Sequence, residues 1–166
     1  MATPEFILEL RKKIGHDPLW LIGVSAYVED ADGRVLLGRR SDTGEWAMVY
    51  GINEPGEEPA VTVVREVKEE TGVDCVPTDL VSVKSSTRML TYGNGDQAMY
   101  MDHLFVCRLT EGGNTDPFVG DDESLNVGWF DVDDLPSPLA ATTVERMGYV
   151  RRWKDAGDGK ALFSLE

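Results

Sequence analysis

The 166-residue chain is poor in cysteine, in histidine and in positive charge, and each shortage narrows what it can be. Its two cysteines, Cys75 and Cys107, lie far apart and belong to no CxxC pair or Cys/His cluster. A disulfide framework and a zinc site are therefore not readable, and two thiols in a reducing cytoplasm are the expected state. Lys and Arg number 16 against 30 Asp and Glu, for a net charge of −14. Such a surface repels phosphate backbones, so wholesale binding of nucleic acid or an anionic membrane is excluded unless a basic patch or a bound cation reverses the sign locally. No apolar run approaches the roughly 20 residues of a membrane span. The first residues carry their charges after their apolar positions with no small-residue cleavage pattern, so no secretory leader is read there and a cytoplasmic location is expected. Internal repeats, low-complexity tracts and long linkers are also missing.

What is present suits one α/β domain over residues 1–166. A chain of this length buries roughly 70% of its unfolded surface, which 42% hydrophobic residues can fill without a staple. Thr3 and Pro4 read as the cap and first position of an amphipathic helix that Gly15 ends, making residues 1–18 an N-terminal helical extension. Leu19 to Val28 and Arg34 to Arg39 flank a turn and read as a hairpin, and Trp46 to Tyr50 as a short strand. The spacing then predicts a helix from Pro59, with Ala60, Val63, Val64 and Val67 inward and Gly72 just past its end. Strands follow at Leu80 to Ser86, Ala98 to Cys107 and Asn126 to Phe130, and a last helix runs from Ser137 and Pro138 to about Gly157.

The chemistry concentrates in Gly51 to Val73, GINEPGEEPAVTVVREVKEETGV. Glu66, Glu69 and Glu70 stand at i, i+3 and i+4, so three carboxylates leave one helix face. Nothing local is expected to neutralise that face, because Lys68 points elsewhere and Arg65 has Glu57 as a partner. A hard divalent cation turns such repulsion into a site, and Mg²⁺ in particular is held by a few carboxylates together with substrate phosphate oxygens.

The same segment matches in full the signature GX5EX7REUXEEXGU through Gly51, Glu57, Arg65, Glu66, Val67, Glu69, Glu70, Gly72 and Val73. A chance match has odds on the order of one in a million at this composition, far beyond a lone glycine-rich loop. The chain thus resembles the Nudix hydrolase superfamily, the MutT-like enzymes. That resemblance implies an α/β/α sandwich with a mixed β-sheet between helices. It further implies Mg²⁺ or Mn²⁺ on Glu66, Glu69 and Glu70, with the Gly51 carbonyl as a further ligand. By the same resemblance Glu57 and Arg65 form a structural pair that orients the helix, and Gly72 is a structural position of the box. The general base of similar enzymes is a box glutamate or a later-loop glutamate, which leaves Glu66 and Glu123 both open, with Asp121 and Asp122 beside the latter.

Substrate clues are thinner. Many relatives carry Pro-Gly-Gly where this chain has Val49-Tyr50-Gly51, so Tyr50 either adds a ring near the site or belongs to the core. Arg39 and Arg40 end a strand before the box; neighbours on a strand face opposite ways, so at most one aims at a phosphate, and a surface pair with Asp42 or Glu45 is the plainer alternative. Trp20, Tyr27, Trp46, Tyr92 and Phe118 are either stacking or core aromatics. Neither His16, beside Asp17, nor His103 is read as catalytic. The expected reaction is cleavage of a phosphoanhydride in a small nucleoside diphosphate linked to a moiety X, such as a nucleoside triphosphate, a nucleotide sugar or ADP-ribose. Two alternatives stay open, a non-catalytic nucleotide sensor and an isopentenyl-diphosphate isomerase-like enzyme. Many similar enzymes are homodimers, and the N-terminal helix suits a partner or the sheet equally.

The negative charge also has an address. Gly51 to Val73 carries −4 and Asp116 to Asp134 carries −7, together −11 of the −14. The acids are gathered where cations are needed.

Overall fold

β-Branched and aromatic runs separated by turns make eight strands, and three further segments, the first two amphipathic, make helices, in the computed structural model, which describes residues 3–163. In chain order these are α1 (Glu5–Ile14), β1 (Leu19–Glu29), β2 (Val35–Arg40), β3 (Trp46–Ala47), β4 (Val49–Ile52), α2 (Pro59–Thr71), β5 (Cys75–Ser85), β6 (Leu90–Thr91), β7 (Gln97–Leu109), β8 (Ser124–Phe130) and α3 (Ala141–Ala156). The sheet runs β3-β2-β1-β7-β5, with β4 paired to β1, β6 to β7 and β8 to β2. The β1 and β7 strands are parallel along their length and the remaining pairs are antiparallel, so the sheet is mixed.

Strand alternation assigns the two faces. Val24, Ala26 and Val28 of β1 and Val49 of β4 pack with Val63 and Val67 of α2. Tyr27, Met48, Leu104 and Val106 point the other way and pack with Val150 of α3. On that second face, farther along β1 and β7, Leu21 and Ala98 pack with Ile7 of α1. Helices therefore cover both faces, and the face shared by α1 and α3 carries two separate apolar clusters.

Several expectations change in detail. The β1–β2 hairpin closes only at Glu29 opposite Val35, because β1 is taken up by β4 and by β7 over the rest of its length. The strand expected at Trp46 to Tyr50 is broken at Met48, whose amide bonds the Thr143 hydroxyl at 3.0 Å instead of a ladder partner. Pro138 does not open α3. Its carbonyl accepts from the Trp46 amide at 2.8 Å and Leu139 bridges Trp46, which holds that segment extended until Ala140 caps the helix. Pro4 likewise occupies the cap of α1, not its first position.

The start and stop of α2 follow their sequence signals. Pro59 takes the first position, where its missing N–H is no loss. Gly72 takes the left-handed conformation, φ 71°, and a Cβ there would stand 2.0 Å from the Phe118 ring. That ring seats the acidic loop that follows β7. We predict that Gly72→Ala costs about 1–3 kcal/mol, from backbone strain and a displaced Phe118. Chemical denaturation measures this, and an unchanged midpoint would contradict it.

Candidate active site

The site is assembled by two approaches to one end of α2. The first is from β4. Gly51 faces α2 so closely that a Cβ on it would lie 2.2 Å from the Glu66 carboxyl carbon, which explains why only glycine fits there. The second is from the loop after β7. Phe118 donates its amide to the Thr71 carbonyl and Gly120 donates to the Glu70 carbonyl, at 2.9 and 3.0 Å. Near its start the Asp74 amide donates to the Asn114 carbonyl, the Asn114 backbone amide donates to the Asp74 carboxylate, and the Asn114 side-chain amide donates to the Gly72 carbonyl, each at 2.8 Å. These contacts bring Asp121 to Glu70, on which its charge is felt, and place Glu123 near β2.

Within the helix, the three glutamates differ. The Glu66 and Glu70 side chains are buried, and Glu69 is 52% exposed. The expectation of an unneutralised face is corrected here. Arg65 binds Glu57 through two bonds of 3.0 Å and also donates from Nη1 to Glu66 at 2.9 Å and to Glu69 at 3.2 Å. One guanidinium thus gathers three carboxylates, Glu57 from the loop and two from the helix. Thr62 donates to the Glu57 carboxylate at 2.8 Å, and this with the Arg65 fork holds Glu57 below the usual carboxylate range. The loop is also closed by Asn53, which donates to the Glu57 carbonyl at 2.9 Å.

Burial acts in the opposite sense on the two inner glutamates. Loss of solvent pushes Glu66 up to about 7, and with the charge of Glu66 and Asp121 nearby it pushes Glu70 up to about 8. Glu66 Oε2 and Glu70 Oε1 are buried and accept no hydrogen bond from any described residue. Buried orphan carboxylate oxygens are costly, and hard oxygen donors are what a divalent cation takes. The donor set accordingly fits Mg²⁺ or Mn²⁺. Among the described residues no three acidic, histidine or cysteine side chains already converge as a cation cage. Arg65 Nη1 bonds both Glu66 and Glu69, so a cation of the chain itself already stands between those two carboxylates.

Of the two arginines ending β2, Arg40 is the one turned to the site. It pairs with Asp42 through two bonds of 2.8 Å, lies 3.9 Å from the Glu123 carboxylate and stands 4.9 Å from the Tyr50 ring centre. Of the alternatives weighed for it, the pair with Asp42 is present. Arg39 is exposed and donates to the Gly44 carbonyl at 3.0 Å. Tyr50 is partly buried on the sheet face opposite Gly51, and burial raises its phenol despite Arg40 and Arg146.

Tyr27 is core and Trp46 packs edge-on against Phe130, while Trp20, Tyr92 and Phe118 are exposed. His16 binds Asp96 at 2.7 Å, not Asp17, and His103 is near the Gly23 carbonyl. Both cysteines are buried thiols. Sequence reasoning missed Arg146 of α3, whose guanidinium stands 5.2 Å from the Tyr50 ring centre, and its partner Asp102. No motif surrounds either residue, so no local signal marked them.

Comparison with known proteins places this geometry. The model of the NUDIX domain matches residues 20–153. A MutT-like protein of Streptomyces ambofaciens is 33% identical over 86% of this chain and 80% of its own length. An 8-oxo-dGDP phosphatase of Mus musculus is 30% identical over 86% of this chain but 40% of its own length, and its Homo sapiens counterpart is similar over 39%. The chain spans less than half the length of those two relatives. Among solved structures, a MutT NUDIX hydrolase from Burkholderia pseudomallei superposes with a TM-score of 0.65 at 26% identity, over 80% of this chain and 98% of that one. A UDP-X diphosphatase superposes at 0.67 and 23% identity over 98% and 76%, which bears on the fold alone.

The buried pair makes stability depend on pH with a definite sign. Below an unfolded value near 4.5, Glu66 and Glu70 are protonated in both states; above it the unfolded chain loses protons that the metal-free fold retains, so stability falls until about pH 7–8. Carboxylates held low, such as Glu57, complete their contribution below pH 5.5. Between pH 5.5 and 8 the two groups together should therefore cost the metal-free protein about 5 kcal/mol, or roughly 10–20 °C in melting temperature. Saturating Mg²⁺ or Mn²⁺ should flatten the profile, and a flat metal-free profile would contradict the assignment.

Proposed function

Because the chain belongs to the NUDIX domain family, we propose that it is a divalent-metal-dependent hydrolase of phosphoanhydrides in small nucleoside diphosphate-linked substrates. The observation that carries this is the pair of orphaned carboxylate oxygens, Glu66 Oε2 and Glu70 Oε1, buried beside Gly51 and the acidic loop. Glu66, Glu69 and Glu70 are the metal ligands in this reading, with the Gly51 carbonyl as a further donor. When bound, Mg²⁺ or Mn²⁺ supplies charge neutralisation on phosphate oxygens and a more acidic water.

The chain's own residues do the rest. Glu57 and Arg65 fix the angle between box loop and helix, so the inner carboxylates keep their places. Glu66 and Glu123 are the two groups that can take the proton of the attacking water, and Arg40 can hold a phosphate oxygen once one enters beside Glu123. Products are two phosphate-bearing fragments, or a monophosphate with phosphate or pyrophosphate. The two 8-oxo-dGDP phosphatases place oxidised guanine nucleoside diphosphates among the substrates to test. The two thiols, buried in the α2-side core, offer nothing to an isomerase-like reaction. They suit a reducing compartment such as the cytoplasm.

The experiment is a panel of nucleoside di- and triphosphates, 8-oxo-dGDP, nucleotide sugars and ADP-ribose with Mg²⁺ or Mn²⁺, products being identified by mass. Hydrolysis of at least one is expected, and none would favour a sensor. Glu70→Gln and Glu69→Gln should each remove metal-dependent turnover with the melting transition retained, since the amide keeps the volume and loses the charge. Unchanged turnover in both would sink the ligand assignment. Glu123→Gln should lower kcat about 100-fold or more if Glu123 is the base; full activity would leave that role to Glu66.

A further inference from the structure

Helices cover the sheet unevenly. On the α2 side, Val63 and Val67 share their apolar cluster with Val24, Ala26 and Val28 of β1, while α1 lies on the opposite face, with Ile7 against Leu21 and Ala98. Alternation carries the α2 side past the end of that cluster. Trp20 and Ile22 of β1 stand there beside Met99 and Met101 of β7, and Val83 of β5, opposite His103, joins them. Trp20, Ile22 and Val83 are 52%, 43% and 36% exposed, and none of the five belongs to an apolar cluster under a helix. With the partly exposed methionines they make roughly 300–400 Å² of apolar surface, the size of patch that marks an interaction site. An interface of standard size takes about 800 Å² from each partner, a little over half of it apolar, so this patch supplies most of the apolar part of one side.

The patch carries no charge, in a chain of net charge −14. Charge sits on its two rims, and with opposite sign. On the β1 rim the box loop brings the exposed Glu54, beside a cleft of about 310 Å³ lined in part by Trp20, Ile22 and Pro55. On the far rim the turn between β5 and β6 brings the exposed Arg88 and Met89. Leu90 pairs with Ala98, which faces α1, so alternation turns the preceding Met89 to the α2 side.

These rims complement each other, and that selects the occupant. A two-fold axis lying between two such faces and running along β7 lays sheet on sheet and sets the β1 rim of each copy against the β5–β6 rim of the other. Glu54 then meets Arg88, and the flexible Met89 side chain meets the cleft by Trp20, once on each side of the axis. An axis across the strands would oppose Glu54 to Glu54, which like charge disfavours. We propose that this face is the interface of a symmetric dimer, the patch from Trp20 to Met101 packing on its counterpart in a second copy, with Glu54 paired to Arg88 across it.

Sedimentation equilibrium of the full chain from about 1 to 100 μM tests this, and the mass of two chains is expected within that range. Ile22→Asp should weaken association about 100-fold or more, because it puts a carboxylate in the apolar centre. Met89→Asp, in an exposed turn, replaces it if that variant loses its melting transition. Glu54→Arg and Arg88→Glu should each weaken association roughly ten-fold, and the two together should return it to within about three-fold of the wild type. A wild type that stays monomeric throughout would overturn the proposal and leave the face to a foreign partner. A dimer indifferent to the aspartate variants, or a double variant no tighter than the single ones, would overturn it as well.

Discussion

One guanidinium, Arg65, joins the parts of the box that sequence separation would leave independent. Glu57 arrives from a loop eight residues earlier, and Glu66 and Glu69 from the helix itself, and all three carboxylates meet the same cation. Without it, the loop from Asn53 to Glu58 would lose its main tie to α2, and Glu66 would lose the only described hydrogen-bond donor to a carboxylate buried against Gly51. The arrangement costs little because Arg65 keeps part of its surface in water, while its three partners share the compensation. It is also incomplete by design of charge: Arg65 satisfies one oxygen of Glu66 and none of Glu70.

That incompleteness governs the electrostatics. Glu70 accepts from no cation among the described residues and feels both Glu66 and Asp121, so its proton is held by burial and by neighbouring charge acting together. The loop after β7 adds to the effect because the Phe118 and Gly120 amides fasten it to the last turn of α2. The same backbone bonds satisfy carbonyls that a helix end leaves orphaned. Cap and acidic cluster are therefore one structure: what finishes the helix also delivers the second group of acids.

The legible part of the fold was the part encoded locally. Pro59, Val63, Val67 and Gly72 announce α2 because a helix writes its start, stripe and stop within its own residues. The parallel pairing of β1 with β7 was not legible, since nothing in Leu19–Glu29 names a partner some eighty residues away. The late start of α3 was missed for a related reason. Ser137 and Pro138 carry an N-terminal signal, and the long-range bonds of Trp46 to Pro138 and Ala140 override it. In the site, the box glutamates were readable from spacing, but the reach of Arg65 to Glu66 and Glu69 was not, because rotamers set it. Arg146 and Asp102 come from α3 and β7, and have no common neighbourhood in the chain.

Gly51 and Tyr50 show how differently two neighbours in sequence are constrained. They are adjacent on β4, so one must face α2 and the other the opposite side of the sheet. Gly51 borders Glu66, within a motif of contiguous residues whose order is constrained by one helix and its loop. Tyr50 borders Arg40 and Arg146, groups brought from two other elements. Substitution at Tyr50 therefore leaves the Gly51–Glu66 contact in place, because the two side chains lie on opposite faces of one strand, whereas any side chain at Gly51 would displace the Glu66 carboxylate directly.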